Sequence, residues 1–195
     1  MVFNINVKQP MVTVTTKLVL WTGPRHSGKT TTASDLVKIA HKEGFIVAGL
    51  LAPSLYDNGE LIGFGALDLK NNTRKPLARF NTEKAKTMPL KFIPEGLKVG
   101  YTALSQASTQ SADLVVVDEF GPMELEGRVW REAIDLLLSN GESLIVLVVR
   151  RELVEKVRRL YTEIPSQKFA ASDPESISKV IDILRNRQKL LQVAK

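Results

Sequence analysis

The chain has 195 residues, of which 44% are hydrophobic and 25% are charged, so it carries enough apolar side chains to bury a core in water. It contains no cysteine, which excludes a disulfide framework and a cysteine-ligated zinc site and suits a cytoplasmic protein. Its formal net charge of +6 suits a polyanionic ligand, whether that ligand is a nucleotide or a nucleic acid.

The chain begins with a short, β-prone extension over residues 1–16. This extension lacks the basic start, continuous apolar segment and small-residue cleavage site of a secretory signal, and no apolar stretch of the chain is long enough to span a membrane. Because there is no internal repeat and no linker-like change in composition, we predict a single domain over 1–195. We expect no membrane contact, and we expect a monomer.

The first core element is a strand over residues 17–22 (KLVLWT), which is apolar, rich in β-formers and ends abruptly at Gly23. Such a run is typical of a buried strand in a parallel sheet. The segment GPRHSGKT follows, and then a helix ends near Gly44. The apolar residues of this helix are Ala33, Leu36, Val37 and Ala40. The predicted order is therefore strand, glycine-rich loop and helix.

The middle of the chain contains a further strand over 45–51 and then a region, 54–80, in which turn residues alternate with short apolar runs. The alternation predicts small antiparallel strands. A helix is predicted over 95–109, with Leu97, Tyr101 and Leu104 on one face. It leads to a very apolar strand over 114–119 (LVVVDE).

The last third of the chain alternates helices with a buried strand over 144–149 (LIVLVV), and Asp173 followed by Pro174 is a suitable start for the final helix. Three helices are marked by Val129, Ala133, Leu136 and Leu137, by Leu153, Val157 and Leu160, and by Ile177, Val180, Ile181 and Leu184. This alternation predicts a three-layer α/β/α fold with a mostly parallel central sheet and a small antiparallel extension.

Residues 23–30 match the phosphate-binding pattern G-x-x-x-x-G-K-[ST], and a predicted strand and helix flank them as the P-loop mechanism requires. The glycines allow successive backbone N–H groups to point inward, which forms an anion nest at the helix N-terminus. Lys29 would reach the β- and γ-phosphates, and the Thr30 hydroxyl would bind Mg²⁺. The residues expected to contact the nucleotide are Gly23, Pro24, Arg25, His26, Ser27, Gly28, Lys29, Thr30 and Thr31.

Asp118 and Glu119 end the apolar strand over 114–119. In P-loop proteins a carboxylate at the tip of a neighbouring parallel strand lies beside the magnesium, so Asp118 is predicted to hold the metal together with Thr30. Glu119 points the other way along the strand and is predicted to orient, or accept a proton from, the water that attacks the γ-phosphorus. The alternative is that both are solvated carboxylates at a strand end.

Several other charged residues are candidates for secondary roles. Glu124 and Glu126 precede a helix, where they would interact with its dipole or add negative charge near the metal. Arg79, Arg150 and Arg151 are candidates to neutralise charge that develops on the transferred phosphoryl group, and the alternative for each is a solvated surface arginine.

The two strings GPRHSGKTT and VVVDEFGPMEL together resemble the small nucleoside-triphosphatases of bacteria and archaea, whose animal relatives are called cancer-related nucleoside-triphosphatases. The likeness covers residues 17–184. It implies Mg²⁺-dependent hydrolysis of ATP, GTP or another nucleoside triphosphate (NTP) to the diphosphate with loose base specificity, with Lys29 and Glu119 as catalytic residues and Thr30 and Asp118 at the metal. Some members carry a further glycine in the loop, where this chain has Arg25 and His26, and a lysine in place of Pro122.

Two other functions remain open at this point. The same residues could serve a kinase that activates a nucleoside or nucleotide hydroxyl in place of water. The SGKTT loop also resembles the molybdopterin-guanine dinucleotide biosynthesis protein B, a nucleotide-gated adaptor. A guanine-specific GTPase is disfavoured because the chain has no Asn-Lys-x-Asp string, and no recognisable module supports specific nucleic-acid binding.

Overall fold

The computed structural model describes residues 15–80 and 90–193, and the predicted extension over 1–16 lies almost entirely outside them. The strands of the described part are β1 (Leu18–Gly23), β2 (Val47–Leu51), β3 (Ser54–Asp57), β4 (Glu60–Asp68), β5 (Arg74–Phe80), β6 (Leu90–Phe92), β7 (Leu114–Phe120), β8 (Leu144–Arg150) and β9 (Ser166–Ala170). Its helices are α1 (Lys29–Lys42), α2 (Pro94–Ala103), α3 (Gln106–Thr109), α4 (Pro122–Leu125), α5 (Arg131–Asn140), α6 (Val154–Leu160) and α7 (Ser176–Val193), and a 3₁₀ turn (Arg151–Leu153) precedes α6.

The strands form one sheet in the order β6-β5-β4-β2-β7-β8-β1-β9, with β3 paired to β4. The five strands from β2 to β9 in this order are parallel. The strands β3, β4, β5 and β6 form an antiparallel extension that joins the parallel part through β2. The predicted sheet is therefore confirmed. Strands β1, β7 and β8 are apolar up to their last one to three residues, as is typical of strands that helices cover on both faces.

Two hydrophobic cores lie on opposite faces of the sheet and give the fold its predicted three layers. One core packs α1 and α7 against the sheet, with Leu36 and Leu184 fully buried. The other packs α2, α5 and α6 against the opposite face through Ala103, Ile134 and Val157. The first of these layers matters most for the site, since α1 begins at the glycine-rich loop.

The predicted helix over 95–109 is wrong in its continuity, because α2 ends at Ala103 and α3 begins at Gln106. Ser105 between them is extended, with φ −65° and ψ 155°, and its side chain accepts a hydrogen bond from the Ser108 N–H. A serine that caps a new helix therefore interrupts the apolar periodicity.

The stripe predicted for α5 is also partly wrong. Val129 lies before the helix with φ 53°, and Leu136 is 55% exposed. Ile134 and Leu138 are buried instead of Val129 and Leu136, together with the predicted Leu137. The helix begins only at Arg131, which shifts its buried face. The stripe of α7 is confirmed: Val180, Ile181 and Leu184 are buried and Ile177 packs against them.

The edge strand β9 was not predicted, because the first three residues of its sequence SQKFA are polar. It pairs with β1 along Leu18–Thr22, packs Phe169 against the core and leaves Gln167 and Lys168 exposed. A sheet edge that faces solvent does not need apolar side chains on both faces, so its sequence carries little strand signal.

The strand that carries Asp118 does not neighbour the loop strand, which corrects the sequence-based prediction. β8 lies between β1 and β7 in the sheet. The metal-site residues still meet, because α1 crosses the sheet and contacts β8 and β2 as well as β1. Thr30, in its first turn, lies near Asp118 at the tip of β7.

Candidate functional site

The glycine-rich loop connects the end of β1 to the start of α1 and has little spare room at its first residue. A methyl group on Gly23 would lie 2.5 Å from Ser27 Oγ and 3.2 Å from Lys29 Cγ. Gly28, at the helix N-cap, has φ 78°, in the left-handed region that glycine adopts without strain. A first residue closely packed by the Ser27 and Lys29 side chains and a left-handed glycine at the other end accompany the tight curve of the loop.

Lys29 is the first residue of α1, and its buried side chain lies over this loop. Lys29 is only 7% exposed, and its Nζ donates a hydrogen bond to the Pro24 carbonyl at 2.8 Å. The Ser27 hydroxyl donates to the same carbonyl at 2.9 Å. The lysine ammonium is thus held above the curve of the loop, beside the helix N-terminus.

The remaining loop side chains point outward. Pro24, Arg25 and His26 are exposed. His26 has φ 57°, so a residue with a β-carbon occupies a left-handed position. This costs about 1 kcal/mol relative to glycine. Residue 26 is therefore the loop position at which a side chain in place of glycine strains the backbone.

Asp118 is a buried carboxylate at the tip of β7. It is 2% exposed, and its Oδ2 accepts a hydrogen bond from the Ala52 N–H at 3.1 Å. Burial raises the pKa of Asp118 to about 6, although the Ala52 hydrogen bond, the nearby Thr30 hydroxyl and the Lys29 charge act to lower it. The two predicted metal-site residues therefore lie near one another in the structure. Sequence reasoning missed Ala52, whose only signal is its position just after a buried strand.

Glu119, the next residue, is paired with an arginine. Its Oε1 accepts a hydrogen bond from Arg150 Nε at 2.8 Å and forms an ion pair with Arg150 Nη2 at 2.7 Å. Both side chains are partly exposed, at 29% for the glutamate and 25% for the arginine. Arg150 ends β8 and lies opposite Gly23 in the β1–β8 register. The loop, Arg150 and Glu119 therefore lie together at the carboxyl-terminal ends of the parallel strands.

The other two candidate arginines lie elsewhere. Arg79 is exposed on β5, which β4 and β2 separate from β7. Arg151 is exposed in the 3₁₀ turn and forms no ion pair with another residue of 15–80 or 90–193. Only Arg150 of the three is brought to the tip of the Asp118 strand.

Glu124 closes the turn that follows Glu119 and is 5% exposed. Its Oε2 accepts a hydrogen bond from the Gly121 N–H at 2.8 Å, as in a capping box at the start of α4. Burial raises the pKa of Glu124, and the nearby Glu119 charge acts in the same direction. Glu126 is exposed and pairs with Arg128. The predicted helix-terminal role is therefore seen at Glu124.

Trp21 and Trp130 are core residues. Trp21 is fully buried, and its Nε1 donates to Thr32 Oγ1 at 3.0 Å, which packs α1 onto β1. Trp130 packs edge to face against Tyr101 at 5.1 Å between ring centroids. Neither ring offers a face to a nucleotide base at the loop.

Comparison with known proteins adds sequence and structural relatives. The sequence profile of the family described as NTPase matches residues 18–171. The nucleoside-triphosphatase THEP1 of Ignicoccus hospitalis is 32% identical over 126 residues, which cover 65% of this chain and 71% of the relative. The protein of the same name from Methanocaldococcus jannaschii is 30% identical over 145 residues, covering 72% of this chain and 84% of the relative.

A solved structure also shares the fold. The solution structure of a human cancer-related nucleoside triphosphatase superposes with a TM-score of 0.61 and 21% identity, and the match covers 93% of this chain and 99% of that one. Within the part of the chain that the structure describes, no helix combines the length and apolar character needed to cross a membrane.

Proposed function

The chain belongs to the NTPase family, and we propose that it hydrolyses nucleoside triphosphates to the diphosphate and phosphate at its glycine-rich loop, with Mg²⁺ and loose discrimination among bases. The observation that carries this proposal is the proximity of the Thr30 side chain to the buried Asp118 carboxylate, beside Lys29. It joins the phosphate-binding loop to the strand tip where a metal would be shared.

The residues at this point suit Mg²⁺. A hydroxyl and a carboxylate are hard oxygen donors, and Mg²⁺ in nucleotide enzymes is bound by one or two such protein groups plus substrate phosphates and water. Residues 15–80 and 90–193 contain no group of three or more His, Cys, Asp or Glu that could form an all-protein cage. Thr30 and Asp118 would hold the ion, which when bound neutralises charge on the phosphate oxygens.

The loop supplies the binding site for the triphosphate. The backbone N–H groups of residues 24–31 would surround the phosphates at the N-terminus of α1, where the helix dipole favours negative charge. Lys29 would exchange its bond to the Pro24 carbonyl for the β- and γ-phosphates. Because Lys29 and the loop are already folded around one another, little reorganisation would be needed on binding.

Glu119 is the residue proposed to act on water. Its carboxylate would accept a proton from a water whose oxygen forms a bond to the γ-phosphorus, while the bond from that phosphorus to the β–γ bridging oxygen breaks. The diphosphate leaves with the bridging oxygen, and Lys29 with the loop N–H groups stabilises the charge that develops on it.

The comparisons do not favour the kinase and adaptor alternatives. Two surface cavities of about 550 Å³ and 320 Å³ are lined largely by α2 and by the β4–β5 turn, and no residue of the loop contributes to either. They therefore offer no acceptor site beside the γ-phosphate. The cytoplasmic location, the monomeric state and the lack of specific nucleic-acid binding stay predictions from the sequence.

The experiment that tests the proposal measures phosphate release from each of the four common NTPs with Mg²⁺, with and without added nucleosides or nucleotides as acceptors. We expect release from more than one NTP and no stimulation by an acceptor. Glu119→Gln should keep nucleotide binding and lose turnover by about 100-fold or more. A lack of release from all four NTPs would overturn the proposal, and strong dependence on an acceptor would establish a kinase.

A further inference from the structure

Arg150 occupies the place in the sheet that separates the loop from Glu119. It is the last residue of β8, the strand between β1 and β7. On one side it lies in register with Gly23, and on the other its neighbour Val149 is in register with Phe120, across the bulge that β7 forms after Asp118. Arg150 therefore lies at the carboxyl-terminal ends of the strands, where the substrate phosphates are proposed to bind.

The contact between Arg150 and Glu119 restricts the carboxylate. Arg150 Nε donates a hydrogen bond to Oε1 at 2.8 Å, and Nη2 lies 2.7 Å from the same oxygen in an ion pair. Within the described residues, no hydrogen bond reaches Oε2. A glutamate side chain has three rotatable bonds, and contact with two nitrogens of one planar guanidinium restricts the position of Oε1 and leaves Oε2 available. Because the pair is about three-quarters buried, solvent competes less for it than for a surface pair.

We propose that Arg150 is the positioning residue for Glu119: it holds Oε1 so that Oε2 faces the attacking water. This inference rests on the proposed function. Arg150 would act through the glutamate and not on the transferred phosphoryl group, since its Nε donates to Oε1 and its Nη2 lies against the same oxygen. A misplacement of about 1 Å at a group that orients water can reduce turnover about 100-fold, so one ion pair can have a large kinetic effect.

The chain supplies a matched control in the adjacent residue. Arg151 has the same charge and lies one residue further along, but it is exposed and forms no ion pair with another described residue. Arg151→Met therefore removes an equal charge near the site without touching Glu119. It separates the general effect of a positive charge from the specific contact.

The test is a double-mutant cycle on the full chain that combines Arg150→Met with Glu119→Gln. We expect Arg150→Met to lower kcat by about 10- to 100-fold while KM, and the Kd for ATP measured by calorimetry, stay within about twofold. In the Glu119→Gln background the same change should alter kcat by less than about twofold, because the group that it positions is already disabled. Arg150→Lys should recover part of the kcat, and Arg151→Met should match the wild type.

Each other outcome has a definite meaning. An equal loss of kcat in both backgrounds would overturn the inference and show that Arg150 acts directly on the phosphoryl charge. A raised KM with unchanged kcat would overturn it in favour of substrate binding. If Arg150→Met lowers the melting temperature so far that it does not fold, Arg150→Lys and Arg150→Gln complete the cycle. Wild-type turnover by Glu119→Gln would refute the role of the glutamate itself, which is a failure of the proposed function.

Discussion

Replacing Asp118 by asparagine is expected to stabilise the fold at neutral pH while it removes the proposed metal ligand. Burial raises the pKa of Asp118 from its ordinary 3.8 to about 6. Between these pH values the unfolded chain releases a proton that the folded chain keeps, so the free energy of unfolding falls as pH rises. Above about pH 6 the folded state carries the full free-energy cost of burying the ionised Asp118 carboxylate. A pKa difference of this size corresponds to about 3 kcal/mol.

Asparagine has the shape of the protonated acid and can still accept the hydrogen bond from the Ala52 N–H at its side-chain oxygen. We therefore expect Asp118→Asn to unfold with a free energy up to about 3 kcal/mol above that of the wild type at about pH 7.5, and close to it at about pH 4. Urea unfolding without Mg²⁺ or nucleotide measures the difference, with Asp57→Asn as a control at an exposed carboxylate. The reasoning would be refuted by a variant less stable than the wild type at pH 7.5, or by a difference that does not change with pH.

Three further predictions concern the loop and the core. Gly23→Ala should weaken ATP binding at least about tenfold by calorimetry, because its methyl group would lie 2.5 Å from Ser27 Oγ and 3.2 Å from Lys29 Cγ and would displace both side chains from the loop; unchanged affinity would contradict this role of the two side chains. Gly100→Ala should lower the free energy of unfolding by about 1–3 kcal/mol and leave ATP affinity unchanged, since its methyl group would lie 2.3 Å from the Trp130 ring. His26→Gly should be about 1 kcal/mol more stable than His26→Ala in urea, because residue 26 has φ 57°; equal stabilities would mean that the left-handed conformation is absent in solution.

The parallel centre of the fold could be predicted from the sequence because each strand there is apolar on both faces. Val115 to Val117 and Ile145 to Val149 are fully buried, and no periodicity of period two is needed to recognise such a run. The glycine pattern added the loop and the start of α1. Local pattern and tertiary burial agree in this part of the chain, so the prediction succeeded.

What the sequence could not supply was the relation between segments far apart in the chain. Nothing local to Asp118 indicates that β8 separates it from β1, or that Ala52 donates to it. The bond between Arg150 and Glu119 joins residues 31 positions apart, and neither string carries a signal for it. The polar strand β9 was missed because backbone pairing with β1 makes it a strand, and its side chains show no strand pattern.

The most direct test of the account compares the Mg²⁺ dependence of phosphate release by the wild type and by Thr30→Val, which replaces a hydroxyl with a methyl group of similar size. Thr102→Val is the matched control, since Thr102 is an exposed threonine of α2 and lies outside the loop. If Thr30 and Asp118 hold one metal ion, Thr30→Val should need at least about tenfold more Mg²⁺ for half-maximal release, and Thr102→Val should match the wild type. Identical Mg²⁺ curves for the wild type and Thr30→Val would contradict the account.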